Sequence, residues 1–528
     1  MAGTAGFQAR FWYKNKMGMV PMIDPITLIY LEPHLRTLSR RMDLALLFSS
    51  FASRLDGRKI TQQRMLYEAL RDAILDGLIP AATRLPATRV LANELRIARN
   101  SAMFAYEQLA EEGFLHVSRR GSVVASVGAQ TQSKPVEGKP QSAQLSRRID
   151  GLRREQPTSP IAVSFRPGLP ALDEFPMTQW RAAIARAWRK LEATDLGYAN
   201  SAGAPELRQA LVDYLKVSRG VRCDIDQVFI TDGTQTSLDL CARILADAGD
   251  RVWVEDPGYA GARAAFKGAN LSLVSIPVDA DGIAPARSHW TQSPPKLIYV
   301  TPSHQYPLGS VLSIARRMQI IEDARAHQAW VIEDDYDSEF RHTGSPFAAM
   351  QGLAGNAPVI YLGTFSKTMF PALRIGFMVV PPGLSREFAR TLGEISRQGR
   401  AADQLALADF MRSGAYTRHL RRMRALYARR RVALQVALEQ HFGELLTVSG
   451  GAGGMHLTAR LNAPLRDVDV CGAARSEGLW AVPVSEFCLA DSNIAAYNGL
   501  VLGYASVPER EANAAVEKLA RIVKSMLP

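Results

Sequence analysis

Apolar positions follow two regimes along this chain. Between about residues 60 and 113 they recur at helical spacing: Tyr67, Leu70, Ile74 and Leu78 make one stripe, Val90, Leu91 and Leu95 a second, Ala102, Tyr106 and Leu109 a third. Gly77 with Pro80, and later Gly113, supply the stops. The runs FLHV and SVVA then flank Ser118-Arg119-Arg120-Gly121, the pattern of a small β-hairpin. From about residue 161 the spacing changes. Short β-branched runs (QVFIT, DRVWVED, LSLVSIPV, KLIYVTP, AWVIEDD, VIYLGTFS) alternate with amphipathic stretches such as 234–247 and 314–327. That alternation predicts an α/β fold, a mostly parallel sheet with helices on both faces. An arginine-rich helical stretch, 415–440, leads into a smaller α/β segment, 446–528.

Two segments fit neither regime. Residues 1–53 hold scattered basic residues and several methionines without sustained periodicity. They read as a leader, disordered in part, or as an over-long start, with Met42 a natural beginning. Residues 128–160, rich in Ser, Gln, Pro, Lys and Arg, carry too little apolar surface to fold alone and read as a linker. The expected division is therefore a leader over 1–53, a helical unit with a hairpin over 54–127, a linker over 128–160 and an α/β domain over 161–528.

Composition narrows the class. The 528 residues are 47% hydrophobic and 22% charged, as in globular proteins with sizeable cores. The net charge of +12 favours an anionic partner. Cys223, Cys241, Cys471 and Cys488 form no CxxC pair and no metal-type spacing, and four in so long a chain do not make a disulfide framework. The most apolar early run, Leu44 to Ala52, is too short to span a bilayer. A cytoplasmic protein with no membrane association is expected.

Three helices and a hairpin are the parts of a winged helix-turn-helix. Arg99, Asn100 and Ser101 open the third helix away from its apolar stripe, where a recognition helix meets base edges in the major groove of double-stranded DNA. Arg pairs with guanine and Asn with adenine. Arg84 and Arg89 are placed to grip phosphates, and Arg119 and Arg120 cap the wing. The stretch LPATRVLANELRIARNSAMFAYEQLAEEGFL resembles the head of GntR-family regulators. It departs from the family at Ala98, where a capping serine is usual, and at Ala82, where glycine is common.

The strongest chemical signal is YLGTFSKTMFPALRIG, 361–376. Lys367 follows a strand and a polar turn, and a lysine amine forms an imine with an aldehyde cofactor. Thr364, Ser366 and Arg374 offer donors to that cofactor's phosphate. VIEDDYDSEF sets acidic residues at the end of a buried strand, where ligands bind in open α/β sheets. A carboxylate there holds a pyridine nitrogen protonated. Asp334 is the choice, Asp335 its rival, and Tyr336 is placed for the ring hydroxyl. FITDGTQTSLDL puts Gly233, Thr234 and Gln235 at a helix start suited to an anion. In EDPGYAG, Tyr259 is placed to stack on a ring.

These motifs in this order resemble the fold-type-I aminotransferases over about 165–528. With the GntR-like head, the chain is similar to MocR-type transcriptional regulators. That resemblance implies a pyridoxal 5'-phosphate site with Lys367 as the imine lysine. Asp334 would serve the ring nitrogen, Tyr336 the ring oxygen and Tyr259 the ring face. Thr234, Gln235, Thr364, Ser366 and Arg374 would hold the phosphate. It further implies a homodimer, with domains exchanged head to tail, and a small-molecule effector. The effector is either the cofactor itself or an amino compound that forms an aldimine on it, and it controls DNA binding by the head. The alternative is a working aminotransferase carrying a DNA-binding head. Tyr306-Pro307-Leu308-Gly309 stands where aminotransferases often have Asn-Pro-x-Gly, and Val501 where many carry an arginine that clamps a substrate carboxylate. Physiological transamination is therefore doubtful.

Overall fold

The computed structural model describes residues 12–15, 18–21, 43–54, 60–126, 146, 148, 163–198, 200–342, 344, 347–396, 399–450, 453–489 and 494–528. The chain divides into two compact units, Met1–Ala143 and Gln144–Pro528. Apart from residues 146 and 148, the expected linker over 128–160 lies outside the described residues, as does most of the expected leader.

Among the described residues, the first unit contains a short antiparallel pair, Trp12–Asn15 with Gly18–Pro21, and then four helices and a wing. Its helices are Leu44–Arg54, Gln62–Leu75, Thr88–Leu95 and Arg99–Glu111; the wing pairs Leu115–Ser118 with Gly121–Val124. The first helix corrects the reading of 1–53 as aperiodic. Asp43 Oδ1 accepts from the amides of Ala45 (3.0 Å) and Leu46 (3.1 Å), a cap on the helix start, and Leu44 is buried in the unit's core. That core also includes Leu66, Leu70, Ile74, Ile79, Leu85, Leu91, Ala102, Tyr106, Leu109, Leu115 and Val124. Two expected stripe members are solvent-facing: Leu78 is 63% exposed and Val90 56%. The helix over 62–75 has ended before Leu78, so Ile79 takes the inward place. Arg84 bridges to Val123 and lends the wing a third edge.

The second unit is built on an eight-stranded sheet in the order 228–231, 376–379, 359–364, 330–335, 297–300, 251–256, 272–279, 282–283. The five central strands run parallel; Gly376–Val379 is antiparallel to both of its neighbours. All six strand motifs lie in this sheet; in five the side chains are nearly all buried because helices cover both faces, while LSLVSIPV, toward the sheet's edge, is only partly buried. One layer packs Leu238, Phe266 and Phe388; the other packs Trp290, Ile320 and Ile321. Helix Ala415–Phe442 then leads to a four-stranded antiparallel sheet ordered 446–449, 456–461, 499–503, 482–483. Val163–Ser164 pairs with Leu479–Trp480, which draws the entering chain across this smaller sheet.

Candidate functional site

Parallel strands ending side by side concentrate polar residues at one edge of the sheet. Asp256, Val300, Asp335 and Thr364 close four neighbouring strands. Open α/β sheets bind their ligands beyond such carboxyl ends. Thr364 begins a one-turn helix, Phe365–Thr368, its Oγ1 accepting from the Ser366 amide at 3.2 Å. That turn aims Lys367 inward, and its Nζ donates to the Gly168 carbonyl at 2.9 Å. Gly168 has φ +74°, and a Cβ there would lie 2.7 Å from the Lys367 Nζ, so glycine lets this turn pass over the amine. Burial holds the amine below its ordinary range, with Asp337 and Asp334 pulling the other way.

Strand Trp330–Asp335 separates the two candidate aspartates by pleat. Asp335 is committed: it pairs with the Arg219 guanidinium at 2.6 Å and accepts from the Tyr361 hydroxyl. Asp334 accepts from the Tyr299 hydroxyl at 2.8 Å through Oδ2, and its Oδ1 is buried without a hydrogen-bond partner. Burial raises its carboxyl to about 7. The Tyr336 hydroxyl donates to the His304 carbonyl at 2.9 Å and lies 3.1 Å from His304 Nδ1. His304 Nδ1 also meets Asp337 Oδ2 at 3.0 Å. His304, Asp337 and His456 offer ligand atoms within 4.8 Å of one another. His304 Nδ1 is engaged by Asp337 and Tyr336, and His456 Nε2 by the Pro307 carbonyl at 3.0 Å, while His304 Nε2 and Asp337 Oδ1 are buried without a hydrogen-bond partner.

Helix Thr234–Leu245 starts beside this edge, with Gly233 as its cap at φ +106°. A Cβ on Gly233 would stand 3.4 Å from the Arg374 guanidinium, and one on Gly376 2.7 Å from the Gly233 Cα. The two glycines therefore let the Arg374 turn close onto the helix start. Arg374 is itself left-handed, at φ +50°. Thr234 Oγ1 is buried without a partner. The Gln235 side-chain amide donates to the Gly261 carbonyl at 2.9 Å. Ser366 is half-buried beside Lys367.

Tyr259 caps the helix Ala260–Gly268 and meets the Tyr306 ring edge-on, 6.0 Å between centres. Tyr306 also packs edge-on against Tyr336, His456 and Phe487. Val501 is fully buried in an apolar cluster with Val484 and Phe487, against which Tyr306 and Leu308 pack. Sequence reasoning missed Gly168, Tyr299 and the His304–Asp337 pair. The sequence singles out Tyr306-Pro307-Leu308-Gly309 but not the preceding His304, and nothing local ties residue 168 to residue 367.

In the first unit, Arg99, Asn100 and Arg89 are exposed and Ser101 is half-buried. Ala98 caps helix Arg99–Glu111 without a side-chain hydrogen bond, and Ala82 adopts φ +65°. Arg119 and Arg120 are exposed at the wing turn. Arg84 departs from the expected role of a free phosphate grip, because its guanidinium donates to the Arg120 carbonyl and braces the wing.

Residues 167–519 match the family model Aminotransferase class I and II, and residues 62–124 the model Bacterial regulatory proteins, gntR family. The probable rhizopine catabolism regulatory protein MocR of Rhizobium meliloti is 38% identical over 465 residues, which cover 87% of this chain and 93% of that protein. The HTH-type pyridoxine biosynthesis transcriptional regulator PdxR of Corynebacterium glutamicum is 31% identical, with 84% and 92% covered. Among solved structures, kynurenine aminotransferase of Pyrococcus horikoshii superposes with a TM-score of 0.66 at 28% identity, over 73% of this chain and 98% of that one. The second unit thus has the fold-type-I aminotransferase fold and the head is a GntR winged helix. This chain belongs to the MocR-type helix-turn-helix transcriptional regulators, in which a GntR head is joined to an aminotransferase class I and II domain.

Proposed function

We propose that this regulator binds pyridoxal 5'-phosphate on Lys367 and that an amino compound or the cofactor itself, acting there, controls DNA binding by the head. The observation that carries the reading is the pairing of a deprotonation-prone, buried lysine with an aspartate whose second oxygen is orphaned. A pyridinium N–H is the donor that Asp334 Oδ1 lacks. The unpaired Thr234 hydroxyl and the Arg374 guanidinium beside Gly233 suit a phosphate at a helix start. The bound cofactor supplies an aldehyde carbon and an electron-withdrawing ring.

The chain's own residues do the rest. Burial, which holds the Lys367 amine below its ordinary range, eases it toward the neutral form that attacks an aldehyde. Asp334 keeps a ring nitrogen charged, Tyr336 reaches the ring oxygen from its seat on His304, and Tyr259 covers the ring face. Thr234, Thr364, Ser366, Arg374 and the Gly233 and Gln235 backbone hold the phosphate. A Lys367 nitrogen freed from the cofactor by a competing amine would be available to the Gly168 carbonyl, the contact it makes in this structure. Such a change regulates only if the DNA-competent and incompetent states differ in affinity for that amine. Arg99, Asn100 and Ser101 meet base edges, while Arg89, Arg119 and Arg120 meet phosphates, in a homodimer on double-stranded DNA in the cytoplasm. Val501, sealed in an apolar cluster, offers no charge to a carboxylate, which favours regulation over transamination.

The test is a DNA-binding titration with wild type and Lys367→Ala, with and without pyridoxal phosphate and candidate amines. Wild-type affinity should respond and that of the variant should not. An identical response from Lys367→Ala would refute the role given to the lysine.

A further inference from the structure

One side chain outside the motifs joins the two halves of the phosphate seat. Arg400 precedes the helix Ala401–Arg412 and is left-handed, at φ +58°. Its Nη1 donates to the Leu373 carbonyl at 3.0 Å and the Arg374 carbonyl at 2.9 Å. Its Nη2 pairs with the Asp232 carboxylate. Leu373 and Arg374 form the turn from which the Arg374 guanidinium reaches the seat. Asp232 directly precedes Gly233, the cap of helix Thr234–Leu245. Arg400 therefore holds both sides at once.

The charges give the arrangement its purpose. A carboxylate beside a helix start competes with an arriving phosphate for the same partial positive charge and repels it. Asp232 is that carboxylate, and its side chain is 59% exposed. An isolated surface ion pair would offset this weakly. Arg400 is not isolated, because two carbonyls fix the same guanidinium, and its planar fork suits several acceptors at once.

We infer that Arg400 is a positioning residue for the phosphate seat: it cancels the Asp232 charge there and fixes the turn that carries Arg374. The inference rests on the pyridoxal phosphate reading above. The experiment measures the dissociation constant of pyridoxal phosphate, by visible absorbance and quenching of tryptophan fluorescence. The proteins are wild type, Arg400→Gln, Arg400→Lys, Asp232→Asn, and Arg400→Gln combined with Asp232→Asn, each checked for folding by circular dichroism. Arg400→Gln should weaken binding about tenfold, the scale of one lost charge-assisted contact. Arg400→Lys, which keeps the charge but not the fork, should lose less. Adding Asp232→Asn to Arg400→Gln should recover most of the lost affinity. Unchanged affinity in Arg400→Gln, or a loss that Asp232→Asn leaves untouched, would overturn the inference. Failure of wild type to take up pyridoxal phosphate would instead sink the cofactor reading, so the two failures are distinguishable.

Discussion

Asp334→Asn should stabilise the cofactor-free protein while loosening its hold on pyridoxal phosphate. Burial raises the Asp334 carboxyl from its ordinary 3.8 to about 7. An acid raised in this way favours the folded state least where it must ionise. Its contribution is fully present below pH 4 and is lost as pH climbs through 7. At pH 8 the gap of about three pH units, at about 1.4 kcal/mol each, amounts to roughly 4 kcal/mol. Asparagine removes the charge and keeps an oxygen for the Tyr299 hydroxyl, which lies 2.8 Å from Asp334 Oδ2. Its amide N–H groups meet no acceptor where Oδ1 is orphaned, which returns about 1–3 kcal/mol of the gain. The net expectation is a gain of about 1–3 kcal/mol at pH 8, shrinking by more than half at pH 5, where the wild-type carboxyl is already protonated in the folded state. Denaturant unfolding without cofactor, followed by tryptophan fluorescence, reads this unit, since Trp180, Trp188, Trp253, Trp290, Trp330 and Trp480 all lie in it. With excess pyridoxal phosphate the order should reverse, because only aspartate pairs with a charged ring nitrogen; a ligand at a hundred times its dissociation constant adds about 2.7 kcal/mol. A cofactor-free variant less stable than wild type at pH 8, or a gain equal at both pH values, would refute the reasoning.

Three further outcomes are expected. Arg99→Ala should weaken specific DNA binding by about 1–3 kcal/mol and leave the visible spectrum unchanged; equal gel-shift affinity at moderate salt would contradict this. Ala98→Ser should add a helix cap worth about 1 kcal/mol to the head, read as a raised thermal midpoint for that unit, and an unchanged midpoint would count against it. Arg219→Met should destabilise the second unit by about 3–5 kcal/mol in denaturant unfolding, because it leaves Asp335 buried without its cation, and a loss below about 1 kcal/mol would show the pair to be dispensable.

Much of this was legible in the chain. The period-2 and buried runs predict the six strands, because covered parallel strands must be apolar on both faces. The Lys367 turn, the paired aspartates and the 229–240 turn announce themselves as polar residues directly after such runs. Which of Asp334 and Asp335 pairs with Arg219 was not legible, since that depends on a residue distant in the chain and on the pleat. Arg400 and Gly168 were invisible for a related reason. Their partners lie 26 to 199 residues away, at 374, 373, 232 and 367, and no local pattern encodes such contacts. Leu44–Arg54 does not stand out because its apolar residues are crowded together rather than spaced as a stripe, although Asp43 is an ordinary capping signal.

The central claim is that Lys367 is the residue on which pyridoxal phosphate is held. Borohydride reduction of the loaded protein fixes the attachment covalently, and peptide mapping by mass spectrometry locates it. A phosphopyridoxyl group on the peptide containing Lys367 is the predicted result. Its appearance on another lysine, or on none after visible uptake of the cofactor, would contradict the account.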